Sequence, residues 1–369
     1  MQSNRSLSID VLRGLTVAVM IVVNSPGSWE YVYSPLLHAQ WNGFTLTDWV
    51  FPSFLFVVGN SMSFSLDRYR QMGTSAFFTK VIKRTVLIFL IGYLLIWFPF
   101  FRHNAEGEIY LKSIESTRIF GVLQRIALCY FFASIMIYYL SERATLILSM
   151  AMLVAYHLVL VIFGDLTLAG NAVLKFDLWL VGDAHMYHGE GLAFDPEGFL
   201  STLPAVVNVI GGYWAGVFLR KKGATYETIA KMMVVGVIFI VAGFAWDILL
   251  PFNKKIWTSS YVLLTIGINL HLLALLTFVI DLRQNRKWTY FFDVFGKNTL
   301  FIYVASSLIT DIILFLSIGD HNIYDWFYVM VFQSIFGNYL GSFLFALAFL
   351  MVCWLIGLWM DKKKIYIKI

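Results

Sequence analysis

Long apolar runs, separated by short polar connections, dominate the sequence and predict helices that cross a lipid bilayer. A helix needs about 20 apolar residues to span the hydrocarbon layer. In lipid, a helix satisfies its own backbone hydrogen bonds without having to close a barrel. Ten runs fit, at residues 9–26, 46–66, 85–101, 119–140, 144–163, 199–219, 230–250, 257–281, 290–316 and 338–360. An aromatic stretch at 323–336 is too short to cross, so we expect it to be interfacial or re-entrant.

The composition agrees with this pattern. Of the 369 residues, 59% are hydrophobic and 13% are charged, and the mean hydropathy is +0.75. Soluble domains carry about 25% charged residues, so lipid must be the solvent for most of these side chains. We therefore expect an all-α polytopic membrane helix bundle that forms a single transmembrane domain over residues 1–369. Asp10 and Arg13 at the start of the first run, with no small-residue cleavage site after it, favour a retained anchor over a signal peptide.

Lysine and arginine are divided unequally between the two sets of connections, and this predicts the orientation. One set holds 18 of them, including Arg5 and Lys368 near the chain ends, and the opposite set holds 6. We therefore expect both termini in the cytoplasm and the loop at 27–45 outside. The net charge of +5 follows from this asymmetry and does not indicate a nucleic-acid partner.

Polar residues at the outer ends of the runs are the main candidates for function, because ionisable groups at membrane depth are costly. These residues are Asn24, His38, Asn42, Asp48, Arg118, Gln124, Arg125, Glu197 and Asp247. Two interpretations stay open at this point. They form a polar network that pins the helices, or folding brings them together as one site at the outer face.

His38 is the most informative of them, because an imidazole suits proton transfer near neutral pH. It is a loop histidine with no chemical task, a metal ligand, or a general base or nucleophile. The sequence disfavours the metal, since no second His or Cys lies close to it. Asp48, ten residues on, is placed to orient and charge-stabilise the ring. A second cluster, "GDAHMYHGEG" at 182–191, spaces His185 and His188 as H-x-x-H, which favours a loop-folding or substrate-contacting role over zinc.

Seven segments, spread in order from about residue 7 to 360, together resemble the heparan-α-glucosaminide N-acetyltransferase family. They are "SIDVLRGLTVAVMIVVN", "HAQWNGFTLTDWVFPSFLFVVG", "RIFGVLQRIALCYF", "GDAHMY", "DPEGFLSTLPAVVNVIGGYWAG", "PFNKKIWTSSYVLLTIG" and "FGKNTLFIYV". The resemblance implies an enzyme that moves acetyl from cytosolic acetyl-CoA to the amine of a terminal glucosamine across the membrane. It places the active histidine of the family on His38 and its supporting residues on Asn24 and Asp48.

The sequence departs from the family pattern in two places. "SPGSWEYVYSPLL" follows Asn24 where the family has a Gly-rich loop, and the large lumenal segment that precedes the first span of the lysosomal enzyme has no counterpart. We therefore expect an acceptor other than heparan, namely a periplasmic amino sugar reached from a bacterial inner membrane.

Acetyl transfer to an amine assigns roles to the remaining candidates. His38 either removes the amine proton directly or is acetylated first, and Asn24 or Asn42 would donate to the oxyanion. The expected substrate-contacting or oxyanion residues are Asn42, Arg118, Gln124, Arg125, His185 and Glu197. The expected ligands of the CoA phosphates, on the cytoplasmic side, are Arg13, Lys83, Arg84, Lys297 and Asn298. No metal is expected, and a homodimer stays open.

Two other classes of membrane protein remain open. Membrane O-acyltransferases of surface glycans also begin with an "LRG" span, but their working histidine usually follows on that span. Here the first span ends at Asn24 and contains no histidine. A sugar transporter would also show about ten spans with charges inside the membrane. Binding of acetyl-CoA to the purified protein would exclude a simple sugar carrier.

The predicted orientation is testable by cysteine labelling in intact cells. A cysteine introduced at Ser34 should react with a membrane-impermeant thiol reagent, because the charge asymmetry places this loop outside. A cysteine introduced at Ser75 should react only after the cells are permeabilised. The reverse pattern would overturn the orientation.

Overall fold

The computed structural model describes residues 6–71, 73–103, 108–318 and 321–367. Arg5 and Lys368 lie outside these residues. The helices described are α1 (Leu7–Asn24), α2 (Leu46–Gln71), α3 (Thr74–Trp97), α4 (Val122–Tyr139), α5 (Glu142–Phe163), α6 (Ala172–Val181), α7 (Thr202–Lys222), α8 (Tyr226–Asp247), α9 (Ser259–Leu276), α10 (Thr289–Lys297), α11 (Thr299–Phe315), α12 (Ile323–Phe327), α13 (Ser334–Phe336) and α14 (Asn338–Lys362). Two short antiparallel hairpins pair β1 (Phe101–His103) with β2 (Ile109–Leu111) and β3 (Ser317–Ile318) with β4 (His321–Asn322).

The all-α polytopic class is confirmed. Among the described residues, eight helices are long and apolar enough to cross a membrane, and the bent pair α10–α11 would make a ninth. The eight are α1, α2, α4, α5, α7, α8, α9 with its π-helical extension to Leu282, and α14. The run expected at 85–101 belongs to α3, which ends at Trp97. This helix is long enough to cross but carries Lys80, Lys83 and Arg84 in its first half.

The run expected as one helix at 290–316 is instead broken, since α10 and α11 meet at an angle of 84°. The break lies at Asn298, whose backbone is not helical. Its side chain binds the C-terminal segment, donating to Ile365 O at 2.9 Å and accepting from Ile367 N at 2.9 Å. At Asn298, hydrogen bonds to a segment 67 residues away accompany the break in the helix. The apolar periodicity of the sequence does not predict this break.

The short aromatic stretch behaves as its length predicts. Residues 323–336 form α12, a π-helical turn and α13, and Gly337 then separates them from α14 with a left-handed φ of 75°. Tyr324 anchors this stretch to the end of α1, because its hydroxyl donates to Pro26 O at 2.7 Å.

Helices α2 and α7 pack together so closely that only glycine fits at the contact. A Cβ on Gly59 would lie 1.9 Å from Val209 O, and a Cβ on Gly212 would lie 1.9 Å from Phe56 O. These two helices are also the most buried of the candidate spans, each with 78% of its apolar window inside the protein. The close packing gives α2 a fixed position, and its first turn carries Asp48.

Five connecting loops meet at the end of the bundle where α2 begins. The loop after α1 reaches two others, since Gly43 N donates to Phe252 O at 2.7 Å and Trp41 Nε1 donates to Leu166 O at 2.7 Å. The Trp41 ring also packs on Phe194 in the loop after α6, with ring centres 5.8 Å apart, and that loop binds the loop before α4, because Ile119 N donates to His185 O at 3.1 Å. Residues far apart in sequence therefore come together at one face.

Candidate active site

His38 and Asp48 form a direct pair at the entrance to α2. The distance between His38 Nδ1 and Asp48 Oδ1 is 2.6 Å. The Asp48 side chain is 1% exposed, whereas the His38 side chain is 42% exposed. A buried carboxylate thus holds an imidazole whose other edge is open to an incoming molecule. This pairing was predicted from the sequence.

Asp48 is held in place because it also caps α2. Thr45 N donates to Asp48 Oδ2 at 3.0 Å, and Asp48 N donates back to Thr45 Oγ1 at 3.3 Å. This reciprocal arrangement is a capping box, with aspartate in the usual position of glutamate. Ala39 N adds a third donor to the carboxylate, at 3.1 Å from Oδ2. A carboxylate at a helix N-terminus is further stabilised by the helix dipole.

The backbone of Asp48 is anchored by a tyrosine from another helix. In a regular helix the carbonyl of Asp48 would accept from residue 52, but residue 52 is a proline and has no N–H. The hydroxyl of Tyr261, on α9, donates to Asp48 O at 2.5 Å instead. A buried carbonyl without a donor would be costly. Because Pro52 cannot donate to the Asp48 carbonyl, the hydroxyl of Tyr261 does so, and this hydrogen bond links α9 to the site.

These contacts determine which nitrogen of His38 does chemistry. An ionised carboxylate only accepts hydrogen bonds, so Nδ1 must carry the hydrogen that points at Asp48. In the neutral ring, Nε2 then carries the lone pair. An oriented imidazole with a free Nε2 acts as a general base or a nucleophile.

Arg125 and Trp257 form the buried wall behind this pair. Arg125 is 0% exposed and donates through Nη2 to Gly198 O at 2.9 Å and to the Ser201 hydroxyl. Its guanidinium lies 4.9 Å from the centre of the Trp257 ring. Trp257 in turn packs edge-to-face on Tyr261, with ring centres 5.4 Å apart. Arg125 thus contacts the site through aromatic rings and not through a hydrogen bond to His38.

A charged cluster from three loops lies beside this wall. Arg118 forms a two-pronged pair with Asp195, at 2.8 Å from Nε and 2.6 Å from Nη2. Arg118 Nη2 also lies 2.6 Å from Glu197 Oε2, and Lys254 Nζ lies 3.2 Å from Glu197 Oε1. The guanidinium covers the ring of Tyr187, 4.8 Å from its centre. Burial alone would raise the pKa of Glu197, but Lys254 and Arg118 hold that pKa well below its ordinary value.

The other predicted site residues are placed separately. Asn42 Oδ1 accepts from Asn253 Nδ2 at 3.2 Å, which orients its amide. Gln124 is 1% exposed, and neither of its amide atoms has a hydrogen-bond partner among the described residues. Asn24 is exposed at the end of α1 and lines a cavity with α11. No described contact joins these three residues to His38.

His185 and His188 do not converge. His185 Nδ1 lies 2.8 Å from Thr117 O, and His188 Nε2 lies 3.2 Å from Asp183 Oδ2. Within the part of the chain that the structure describes, no three His, Cys, Asp or Glu side chains come together as a metal site would require. The loop-folding interpretation of His185 agrees with its contact to the backbone before Arg118.

Some of the residues expected to bind the CoA phosphates already have charged or hydrogen-bonding partners within the protein, and others do not. Lys297 lies 2.8 Å from Asp293 and 3.0 Å from Asp361, and Asn298 binds the C-terminal segment. Arg13 pairs with Asp10. Lys83 is exposed, and the guanidinium of Arg84 lies 4.7 Å from the centre of the Tyr130 ring. Among the described residues, neither Lys83 nor Arg84 has a carboxylate partner.

The sequence reasoning missed several residues that build the site. Thr45 was detectable, because T-x-x-D before an apolar run is a capping-box signal. Tyr261 was partly detectable, since a proline four residues after Asp48 predicts a carbonyl in need of a donor. Asp195 and Lys254 carry no local signal of the ion pairs they form. Asp177 is also new: Oδ1 accepts from Phe199 N at 3.0 Å and Leu200 N at 3.1 Å, and burial raises the pKa of this carboxyl to about 7.

The charged cluster is testable through stability. Arg118→Gln should lower the free energy of unfolding at pH 7 by about 3 kcal/mol, because it leaves two buried carboxylates without their shared cation. The pKa of Glu197 is depressed, so its stabilising contribution exists above the ordinary glutamate pKa of about 4.3 and is lost as the pH falls towards the folded-state value. The gap between wild type and variant should therefore shrink on acidification. The measurement is thermal unfolding in detergent at several pH values, with Lys175→Gln, an exposed cation, as the control. Equal midpoints at pH 7 would show that the cluster contributes nothing.

Comparison with known proteins shows the family to which the chain belongs. A family model described as "Heparan-alpha-glucosaminide N-acetyltransferase, catalytic" matches residues 5–240. Heparan-alpha-glucosaminide N-acetyltransferase of Mus musculus is 28% identical over 365 residues, covering 83% of this chain and 54% of that protein. The Homo sapiens protein of the same name is 29% identical over 364 residues, covering 82% and 52% respectively. The chain thus spans about half the length of these curated relatives. Because the family model covers more than half of this chain, the protein belongs to the heparan-α-glucosaminide N-acetyltransferase family.

Proposed function

We propose that this protein is a membrane N-acetyltransferase that moves acetyl from acetyl-CoA to the amine of a glucosamine-type sugar on the opposite side of the bilayer. The observation that carries the proposal is the His38–Asp48 pair, in which a buried carboxylate orients an open imidazole at the end of a membrane helix. Family membership supports the reaction class, because both relatives are named as N-acetyltransferases.

The geometry supports a proton-transfer role for His38. A glucosamine amine is largely protonated at neutral pH, so it attacks a thioester only after it loses a proton. In the direct route the ammonium first loses one proton to water, and Nε2 of His38 takes a second proton while the amine nitrogen bonds to the acetyl carbon. The carbon–sulfur bond then breaks, and the imidazolium returns the proton to the departing thiolate. Asp48 stabilises the imidazolium in between, as the carboxylate of a serine-protease triad does.

The alternative route uses His38 as a nucleophile. Nε2 bonds to the acetyl carbon and the thiolate leaves, and the amine then attacks the acetyl-imidazole. Both routes place the same demands on the chain, namely a free Nε2 and a charge partner at Nδ1. A single-turnover experiment without acceptor would separate the two routes. Release of CoA would indicate the acetyl-imidazole route, and no release would indicate the direct route.

Asn42 is suited to stabilise the oxyanion that forms in either route. Its Oδ1 is engaged by Asn253, so the amide is oriented and its NH₂ group stays available as a donor. Preorganised amide donors of this kind are worth about two to three orders of magnitude in rate where they have been removed.

The residues on α3 fit the charged end of acetyl-CoA. Lys83 and Arg84 lie one turn from Lys80 on α3, and neither Lys83 nor Arg84 has a carboxylate partner among the described residues. Arginine and lysine together recognise phosphate well. Bound there, acetyl-CoA would supply the activated acetyl group. Lys297, Asn298 and Arg13 hold other parts of the chain, so we give the phosphate role to α3 first.

We further propose that the protein works in a bacterial inner membrane as one domain, with both termini in the cytoplasm. The lysine and arginine asymmetry supports this orientation. It puts α3's cations on the side of cytosolic acetyl-CoA and His38 on the side of an extracytoplasmic acceptor.

The proposed activity is tested by incubating detergent-purified protein with radiolabelled acetyl-CoA and glucosamine. Wild type should release labelled N-acetylglucosamine. His38→Ala should abolish the transfer but keep acetyl-CoA binding, because a half-exposed loop side chain contributes little to packing. His188→Ala, an exposed histidine in a neighbouring loop, is the matched control and should retain activity. Near-normal turnover by His38→Ala would remove His38 from the reaction.

Asp48→Asn tests the partner of the histidine in the same assay. The amide keeps the size of the side chain but loses the charge that stabilises the imidazolium, so turnover should fall roughly 100-fold or more. Acetyl-CoA affinity should stay within a few-fold of wild type. Asp165→Asn, an exposed loop carboxylate, is the control. Lost acetyl-CoA binding with unchanged turnover at saturation would mean that Asp48 only caps the helix.

A further inference from the structure

A polar cavity lies between the outer end of α1 and the last turns of α11. Its volume is about 150 Å³, and its polar lining comes from Asn24, Ser25, Ser306, Ser307, Thr310 and Asp311. Helix α11 is otherwise strongly apolar in sequence. Four hydroxyls, an amide and a carboxylate on facing walls are unusual at such depth, because polar groups in a membrane protein are costly unless they meet a partner.

The carboxylate of Asp311 has no hydrogen-bond or ion-pair partner among the described residues. Lys112 acts on it electrostatically, but Lys112 Nζ donates to Ile96 O at 2.5 Å. Asp311 therefore offers a negative charge in a cavity whose other groups both donate and accept hydrogen bonds. The chemical match is a small polyol that carries a cation, since hydroxyls pair with hydroxyls and an ammonium pairs with the carboxylate.

The cavity is linked to the His38–Asp48 pair along the chain. Asn24 and Ser25, which line the cavity, lie where the loop that carries His38 begins. Tyr303, also in the lining, is within electrostatic range of Glu197 and Arg118 in the charged cluster.

From these contacts we infer that the cavity between α1 and α11 receives the amino-sugar acceptor, and that Asp311 is the counter-ion of its ammonium group. This inference rests on the proposed function, because it assigns a recognition residue to that reaction. The carboxylate selects amino sugars over neutral sugars by pairing with the protonated amine. Asn24 contributes an amide to the same wall, which gives this predicted residue a role in binding the acceptor.

The test is a steady-state comparison with glucosamine as the acceptor. Asp311→Asn should raise the KM for glucosamine roughly 10- to 100-fold, the loss expected for one charge-assisted hydrogen bond, and leave the KM for acetyl-CoA unchanged. Asp311→Glu should recover part of the glucosamine affinity. Asp183→Asn, a carboxylate that is 74% exposed in another loop, is the control and should behave as wild type.

A binding measurement separates this inference from the proposed function. Glucosamine should raise the thermal midpoint of wild type more than glucose does at the same concentration, and this difference should vanish in Asp311→Asn. If wild type binds in this way but transfers no acetyl, the proposed reaction is wrong and the cavity assignment stands. If transfer occurs with the same glucosamine KM in wild type and Asp311→Asn, the assignment is overturned. Should Asp311→Asn fail to fold, Ser307→Leu fills the cavity without changing its charge, and an unchanged glucosamine KM in that variant would equally overturn it.

Discussion

The face of the bundle where α2 begins depends on the carboxylate of Asp48. It caps α2 through Thr45, receives the backbone N–H of Ala39 and holds the imidazole of His38. Its own carbonyl is bound by Tyr261 across the bundle. One residue therefore joins the helix start, the preceding loop and a distant helix. Because every contact to its side chain is a donor, the carboxylate stays an acceptor, and this determines the hydrogen position on His38.

The charged residues around this centre pair cations with carboxylates, and their side chains are largely buried. Arg118 and Lys254 face Asp195 and Glu197 across three different loops. Burying such a cluster costs desolvation free energy. In exchange, the ion pairs fix the geometry of loop segments that have little helical structure. The loops that carry these charges also pack apolar side chains such as Phe194, Leu250 and Ile256, so ion pairs and a small apolar core together fix their geometry.

The two ends of the bundle differ in chemistry. The face that we propose to be outside is rich in hydroxyls, amides and paired charges, and it includes Asp311, whose carboxylate has no partner among the described residues. The opposite face carries the cations of α3, and the C-terminal segment is bound there by Asn298 and Lys297. Under the proposed function, a polyanionic thioester and a cationic sugar would each meet the opposite charge on its own side.

Much of the architecture was determined by the sequence alone. Apolar length predicted the membrane helices, because lipid leaves the backbone no other open structure. The charge asymmetry predicts an orientation, which stays a prediction. The motif around His38 and Asp48 predicted their pairing, which is local and spans ten residues. The structure confirmed the fold class and placed that pair in direct contact.

Other features were decided only by tertiary structure. The 84° break at Asn298 arises from a bond to the C-terminal segment, and the links of Asp48 to Tyr261 and of Glu197 to Lys254 join different helices and loops. The cavity beside Asp311 exists because α1 and α11 approach each other there. A single sequence records which residues are polar and how far apart they lie along the chain. It does not record which of them will face one another, because that choice is made by the packing of the whole bundle.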